Sequence, residues 1–421
     1  MDLKQTELIF YYQKNRINAF NVLVAALETV PEFNHLVIRY PKTEERFIQY
    51  LDDAVLHDKR IITGWSFFSP EFPAIQNLLH RVKETYAANL LLNIVGGVHA
   101  TAEPEQCLRA GFDVAVISEG EETFIQLLQS QFNEQSFHAI QGIAFLENGK
   151  IVTTGYPDIV DLDQYPAYAV RHNRLNPLEI TRGCIYACRY CQTPFMFKAK
   201  FRHRSVPQLE SAIRNIKTER PIDLRFVTPS AFSYGSQDET VHLDKIEELL
   251  STCHTALGSR GQLYFGTFPS EIRPEHITVE GLRIIKKYAA NRNLIIGAQS
   301  GSQSVLDYSR RGHTVEQIIQ AVRLSQEAGF EVNVDFIWGL PGETEETLHD
   351  SMNLMETLIQ LGARIHNHAF LPLPGTPFKN APLGHLSPVL IEQFRKLHDS
   401  GRIYGDWEQQ LSLSGTLKRL R

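Results

Sequence analysis

Hydrophobic positions along this chain come in short runs that alternate with stretches of helical period. Leu8-Ile9-Phe10-Tyr11-Tyr12 reads as a buried strand, Ile17 to Leu27 as a helix, and His35 to Tyr40 as a second strand. Ile61 to Phe68, Leu90 to Val98 and Asp113 to Ser118 read as three more, separated by amphipathic stretches at Pro73 to Ala87 and Pro104 to Ala110. Five strands with intervening helices predict an α/β fold with a doubly wound, Rossmann-like parallel sheet. Such sheets take ligands at the carboxyl ends of their strands, where this chain places Ser66, Gly96-Gly97 and Gly120. Taken alone, the glycine pair reads as a tight turn.

Periodicity then breaks. Gly155-Tyr156-Pro157 followed by Leu162-Asp163-Gln164-Tyr165-Pro166 predicts a linker over 151–175. A second α/β series begins near Leu178, with strand-like runs at Leu178 to Thr181, Leu224 to Thr228, Leu263 to Phe268, Leu294 to Gln299, Val332 to Trp338 and Ile365 to Leu371. Helical stretches lie between them at Leu209 to Lys217, Leu243 to Leu250, Glu280 to Tyr288, Val315 to Ala328 and Glu343 to Leu361. Six strands with helical crossovers fit a partial (β/α)6 barrel over 176–375, whose chemistry would sit at the C-terminal strand ends. A helical tail is expected over 376–421, its one clear amphipathic helix running from Pro388 to His398.

Composition narrows the class. At about 150 residues per domain, 421 residues hold two or three domains, and a formal charge of −6 with 43% apolar residues is ordinary globular composition. Neither a basic nucleic-acid binder nor an acidic disordered chain is indicated. No apolar run approaches the roughly 18 residues of a membrane span, and Met1 to Lys14 has no signal-peptide pattern, so a cytoplasmic location is expected.

The five cysteines, at 107, 184, 188, 191 and 253, are too few, odd in number and too clustered for a disulfide framework. Three of them form Cys184-Ile185-Tyr186-Ala187-Cys188-Arg189-Tyr190-Cys191, just after the first barrel strand. A structural zinc site would want a fourth ligand at tetrahedral spacing, and the next cysteine is Cys253. Iron-sulfur clusters normally take four cysteines, so three would leave one iron open. Cys107 and Cys253 read as buried thiols.

The C-x3-C-x2-C spacing, with an aromatic before its last cysteine, resembles the signature of the radical S-adenosylmethionine (SAM) superfamily. Leu178-Glu179-Ile180-Thr181-Arg182-Gly183 resembles the strand leading into that loop. Ile296-Gly297-Ala298-Gln299-Ser300-Gly301-Ser302, with Gly312-His313-Thr314 beyond, resembles the end of the fourth strand, and Asp335-Phe336-Ile337-Trp338-Gly339-Leu340-Pro341-Gly342-Glu343-Thr344 the fifth. The resemblance implies that Cys184, Cys188 and Cys191 ligate three irons of a 4Fe-4S cluster and that SAM chelates the fourth. It puts Tyr190, Ile337 and Gly339 beside the adenine, and Gln299 and Ser300 near the ribose or the methionine carboxylate. Packing and turn roles are the alternatives for all of these. Family members often carry an acidic turn after the second strand; here it reads Thr228-Pro229-Ser230-Ala231-Phe232, with Ser230 as the substitute for the acid. Glu343 falls one position later than the family pattern. Eight basic residues between Arg171 and Arg204 (171, 174, 182, 189, 198, 200, 202, 204) against Glu179 alone form a collar suited to an anionic cluster, an anionic substrate or a solvated face.

Upstream, Gly96-Gly97-Val98-His99-Ala100-Thr101 and Gly111 to Glu121 resemble the cobalamin-binding domain that precedes the barrel in one radical SAM class. The resemblance implies contacts to cobalamin from Ser66, Gly96, Gly97, Gly120 and His99, the last reading also as a structural turn residue. The chain has no D-x-H sequence, so cobalamin would bind without a histidine ligand or the domain has lost it. The activity implied is a radical SAM, cobalamin-dependent methyltransferase acting on an unactivated carbon of a small molecule or natural product, with a flavodoxin or ferredoxin as electron donor. Radical rearrangement or ring chemistry with a degenerate cobalamin domain is the alternative. A methylthiotransferase would need further N-terminal cysteines, and a non-catalytic binding protein would not need the intact triad.

Overall fold

The computed structural model describes residues 3–384, 388–399 and 401–419. The chain packs as two units, Met1–Asn176 and Pro177–Arg421. In the first, the elements run β1 (Thr6–Phe10), α1 (Ile17–Leu27), β2 (Val37–Arg39), α2 (Glu44–Leu56), β3 (Arg60–Ser66), α3 (Phe72–Thr85), β4 (Leu91–Gly96), α4 (Val98–Ala102), α5 (Pro104–Ala110), β5 (Val114–Val116), α6 (Glu121–Phe132), β6 (Ile143–Glu147) and β7 (Lys150–Thr153). The sheet order is β2-β1-β3-β4-β5-β6-β7, parallel through β5 and antiparallel at its last two strands.

Alternate residues of each central strand feed opposite faces. Leu8, Phe10, Ile62, Ile94 and Val114 pack with Phe20, Val24, Phe124 and Leu128 of α1 and α6. Ile9, Ile61, Trp65, Val95 and Ala115 pack with Phe47, Leu51, Leu79, Val82 and Leu108 of α2, α3 and α5. The doubly wound sheet is therefore present, with the antiparallel hairpin β6–β7 added at its edge. The chain leaves β1 toward β2 on one side and returns to β3 on the other, so the topological switch lies at the carboxyl ends of β1 and β3. The strand expected to reach Val98 stops at Gly96, because Gly97 turns the backbone to φ +86° and Val98 opens a helical turn. Residues 154–175 contain no α-helix or named strand, yet Val160, Tyr165 and Ala169 are packed into the α1/α6 face.

The second unit begins with β8 (Leu178–Glu179), β9 (Thr181–Arg182), α7 (Thr193–Met196), β10 (Arg202–His203), α8 (Val206–Arg214), β11 (Ile222–Leu224), β12 (Phe226–Val227), α9 (Leu243–Leu257), β13 (Gly261–Leu263) and α10 (Val279–Tyr288). It continues with β14 (Asn293–Gln299), α11 (Gln303–Tyr308), α12 (Val315–Glu327), β15 (Glu331–Trp338), α13 (Glu345–Gln360), β16 (Arg364–Ala369), α14 (Pro388–Asp399), β17 (Ile403–Tyr404) and α15 (Trp407–Arg419). Parallel pairings run from β8 to β12, from β11 to β13, through the Ile272–Ile296 bridge to β14, and on through β15, β16 and β17. No pairing among the described residues joins β17 back to β8, so the barrel is partial. The tail is more than helical: β17 extends the barrel sheet beside β16, with Ile365 opposite Ile403. Residues 420 and 421 of the expected tail lie outside the described residues, as do 385–387 and 400. Among the described residues no helix is long and apolar enough to cross a membrane.

Candidate functional site

The thiol loop leaves β9 through Gly183, whose φ is +81°; a Cβ there would stand 2.0 Å from the Lys200 carbonyl oxygen, so only glycine fits. The Cys191 amide donates to the Cys188 carbonyl (3.0 Å), and the Arg189 amide to Ser309 (3.0 Å), which pins the loop across the barrel mouth. Cys184, Cys188 and Cys191 consequently face one cavity of about 280 Å³, together with Tyr190, Gln299 and Ile337. Among the titratable lining groups, Glu271, Arg273, Arg311 and His368 escape the sequence reading, and Asp335 entered it only as part of the fifth-strand motif.

Burial pushes the Cys184 thiol up to about 11, with Cys188 and Cys191 adding to it, and burial raises Cys191 as well. Such thiols stay protonated unless a cation or metal holds the thiolate. Arg311 supplies one cation: its Nη1 lies 3.9 Å from Cys188 Sγ and its Nη2 donates to the Gly297 carbonyl at 2.8 Å. Burial opposes that charge, but Tyr190, Cys188, Glu271 and Glu275 outweigh it and raise the Arg311 pKa. Arg273 lies 3.5 Å over the Tyr186 ring and donates to the Arg311 carbonyl. The two buried histidines nearby stay neutral, His276 lowered to about 3 and His313 to about 2, first by burial and then by these arginines.

The acid missing after the second strand arrives from the third. Glu271 follows β13 into the cavity, accepts from Gln299 Nε2 at 3.3 Å, and its carbonyl takes the Ala231 amide at 2.9 Å, which fixes it beside the Thr228–Ala231 turn. Burial, with Asp335, raises its carboxyl to about 6.

Other expected residues lie behind the wall. Ser300 is buried, 3.4 Å from Ser351 of α13, and its hydroxyl accepts the Ser302 amide at 3.2 Å. Ser230 is buried beside Thr228 and Pro229, which do line the cavity. Gly339, at φ +75°, donates its amide to Glu343 Oε2 (2.7 Å), and burial pushes that carboxyl up to about 8. Of the basic collar, Arg182 and Arg204 are buried; Arg182 grips the Glu179 carboxylate (2.8 and 2.7 Å) and Arg204 the Glu179 carbonyl (3.3 Å). Lys198 and Lys200 are exposed.

In the first unit Ser66 and Gly96 are register partners at the strand ends, and a Cβ on Gly97 would stand 2.5 Å from Ser66 Oγ. Gly120 opens α6 against Leu23. His99 turns inward, its ring 5.2 Å from Phe67 and 4.9 Å from Phe72, with Nδ1 3.0 Å from Ser69 Oγ; burial lowers it to about 4. Its contacts are those of a structural turn residue.

Residues 178–355 match the profile described as the Radical SAM superfamily. This chain carries a radical SAM domain. Radical SAM domains work with a 4Fe-4S cluster and SAM, and three thiols in one cavity beside a buried arginine suit an anionic cluster. The chain is 25% identical over 340 residues to the anaerobic magnesium-protoporphyrin IX monomethyl ester cyclase of Cereibacter sphaeroides, covering 74% of this chain and 53% of that one. It is 24% identical over 313 residues to the tRNA-2-methylthio-N(6)-dimethylallyladenosine synthase of Wolbachia pipientis (strain wPip), covering 69% and 66%. The chain thus spans about half to two thirds of the length of these relatives. Its fold is similar to the radical SAM methyltransferase TsrM of Kitasatospora setae, solved with cobalamin and a [4Fe-4S] cluster bound, at a TM-score of 0.64 and 16% identity over 89% of this chain and 74% of that one.

Proposed function

We propose that this chain is a cobalamin-dependent radical SAM enzyme that methylates an unactivated carbon of a small-molecule substrate. The observation that carries the reading is the cavity lined by Cys184, Cys188 and Cys191, with the buried Arg311 3.9 Å from Cys188 Sγ. The likeness to TsrM and the 2-1-3-4-5 strand order of the first unit support the cobalamin part.

When bound, a reduced cluster would supply the electron for reductive cleavage of a carbon–sulfur bond of SAM, and cobalamin would supply the methyl group. The chain's own residues do the rest. The three cysteines would hold three irons of the cluster, and Arg311, 3.9 Å from Cys188 Sγ, would offset the negative charge there. Glu271, raised by burial to about 6 and steadied by Gln299, would receive the SAM ammonium as a carboxylate. Tyr190 and Ile337 form apolar walls for the adenine. At the carboxyl ends of β3 and β4, Ser66 would accept from the cobalamin tail while Gly96 and Gly97 would let it approach the backbone. An acidic electron donor such as a flavodoxin or ferredoxin would meet the exposed Lys198 and Lys200.

Ring chemistry is the second reading, favoured by the similarity to the cyclase. Methylthio transfer is less well supported here: Cys107 is fully buried, and burial pushes its thiol up to about 12, so it is a poor ligand for a further cluster. The deciding experiment incubates reduced, cobalamin-supplied protein with candidate small-molecule extracts and SAM labelled in its methyl group. Label on product carbon supports methylation. SAM cleavage with no cobalamin retained and no label transferred would reject it in favour of ring chemistry.

A further inference from the structure

The last two barrel strands turn a second set of metal-ligating side chains inward. Along β16, Ile365, Asn367 and Ala369 are buried on the outer face, while His366 and His368 fall on the inner one. Register places Asp335 of β15 directly beside His366. Asp335 Oδ1 is 3.0 Å from His366 Nδ1, the two imidazole rings stand edge-on at 4.1 Å, and one ligand atom from each of the three residues lies within 4.8 Å of the others. Asp335 and His368 both line the cavity.

Barrel interiors are ordinarily filled by branched aliphatic side chains, so two imidazoles and a carboxylate here call for a reason. The Asp335–His366 hydrogen bond accounts for two of them. It leaves His368 without a hydrogen-bond partner among the described residues. The outer support is also in place: Tyr404 of β17 stacks on the His366 ring (4.6 Å, 10°) and donates its hydroxyl to Asn333 Oδ1 at 3.1 Å, which fixes the ring's orientation as supporting groups do in metal sites.

We propose that Asp335, His366 and His368 form a site for a divalent transition metal of the zinc class, with its open positions toward the cavity for an oxygen donor of the substrate. Two imidazoles and one carboxylate are the donor set of open zinc and non-haem iron sites. Bonds of about 2.0–2.2 Å place such ligand atoms roughly 3–3.5 Å apart; the Asp335–His366 pair already has that spacing, and the His368 ligand atom lies within 4.8 Å of both. On binding, the metal takes the place of the proton that the Asp335–His366 pair shares.

The site does not rest on the cobalamin reading, and one experiment tests it alone. Cluster-reconstituted protein, whose thiols are occupied by iron, is dialysed anaerobically against micromolar zinc chloride, and zinc and iron per chain are both measured. The expected result is one zinc retained with iron unchanged. His366→Ala and His368→Ala should each weaken retention at least tenfold, while His80→Ala, at an exposed residue on α3, leaves it unchanged. His366→Gln and His368→Gln, milder in shape, repeat the loss in variants whose iron content and circular dichroism match the parent. Failure to retain zinc, equal retention in the histidine variants, or zinc gained only as iron is lost would each overturn the assignment.

Discussion

The two units use parallel strands in opposite ways. In the first, Leu8, Ile9 and Phe10 of β1 are all fully buried, because helices cover both faces of the sheet. The proposed cobalamin contacts are confined to the strand ends, at Ser66 and Gly96. In the second, Val332, Val334, Phe336 and Trp338 of β15 are buried on the outer face, while Asn333, Asp335 and Ile337 alternate with them on the inner face. Even a partial barrel has an interior of its own, and here that interior mixes polar groups such as Asp335 and His368 with apolar ones such as Ile337. The same strand geometry therefore gives a two-faced hydrophobic scaffold in one unit and a cavity lined along the strands in the other.

The sharpest way to break that contrast is at the thiols. Cys188→Ala should abolish the roughly four irons bound per chain and with them all SAM cleavage, whereas Cys107→Ala and Cys253→Ala, fully buried away from the cavity, should keep the iron. Iron content unchanged in Cys188→Ala would remove the basis for the site. Next in size is Arg311→Gln, which keeps a donor for the Gly297 carbonyl but removes the buried charge. A hydrogen bond to a charged group is worth about 1.5–3 kcal/mol, so SAM affinity measured by equilibrium dialysis should fall about ten- to a hundredfold. Equal affinity would mean that the cation serves only the loop.

Sequence made legible what is local. Ile17–Leu27 is read to the residue from its apolar run and Pro104–Ala110 from the proline that opens it, and the thiol triad is eight consecutive positions. The helices α2 and α6 were legible in principle: Thr43 caps α2 by accepting the Arg46 amide, and Glu121-Glu122 open α6. The cavity wall was not legible, since Glu271, Arg311, Asp335 and His368 come from four separate strand ends and loops and meet only once the barrel forms. The hairpin β6–β7 and the strand β17 went unread for a related reason: Ile403–Tyr404 is two residues long, and only its pairing with β16 makes it a strand.

Glu343 sharpens the barrel side of the comparison through pH. Its folded pKa of about 8 stands above the ordinary 4.5, so between those values the folded chain holds a proton that the unfolded chain releases. Stability from this group is therefore complete below about pH 4.5 and is lost as pH rises toward 8. Glu343→Gln keeps an acceptor for the Gly339 amide and has no charge to bury. Urea unfolding should show parent and variant alike near pH 5, with the variant gaining up to a few kcal/mol near pH 8. Parallel pH profiles would show that the carboxyl is already solvated.

The smallest effect separates a turn from a ligand seat in the first unit. At Gly97 the two readings cannot be told apart by stability, because φ +86° and the 2.5 Å approach to Ser66 Oγ penalise any side chain; Gly97→Val should cost about 1–3 kcal/mol whichever is true. Gly96 is different. A Cβ there would find its nearest neighbour, Val116 Cβ, at an ordinary 3.6 Å, and its φ is not in the left-handed region. Gly96→Ala should therefore leave the urea midpoint within about 0.5 kcal/mol of the parent, with iron content untouched. If a cobalamin tail runs along this strand end, the added methyl group crowds it and retention of cobalamin falls while the fold does not. Unchanged stability together with unchanged cobalamin retention would show that Gly96 does not seat the tail, and would return the pair to the role of a tight turn between β4 and α4.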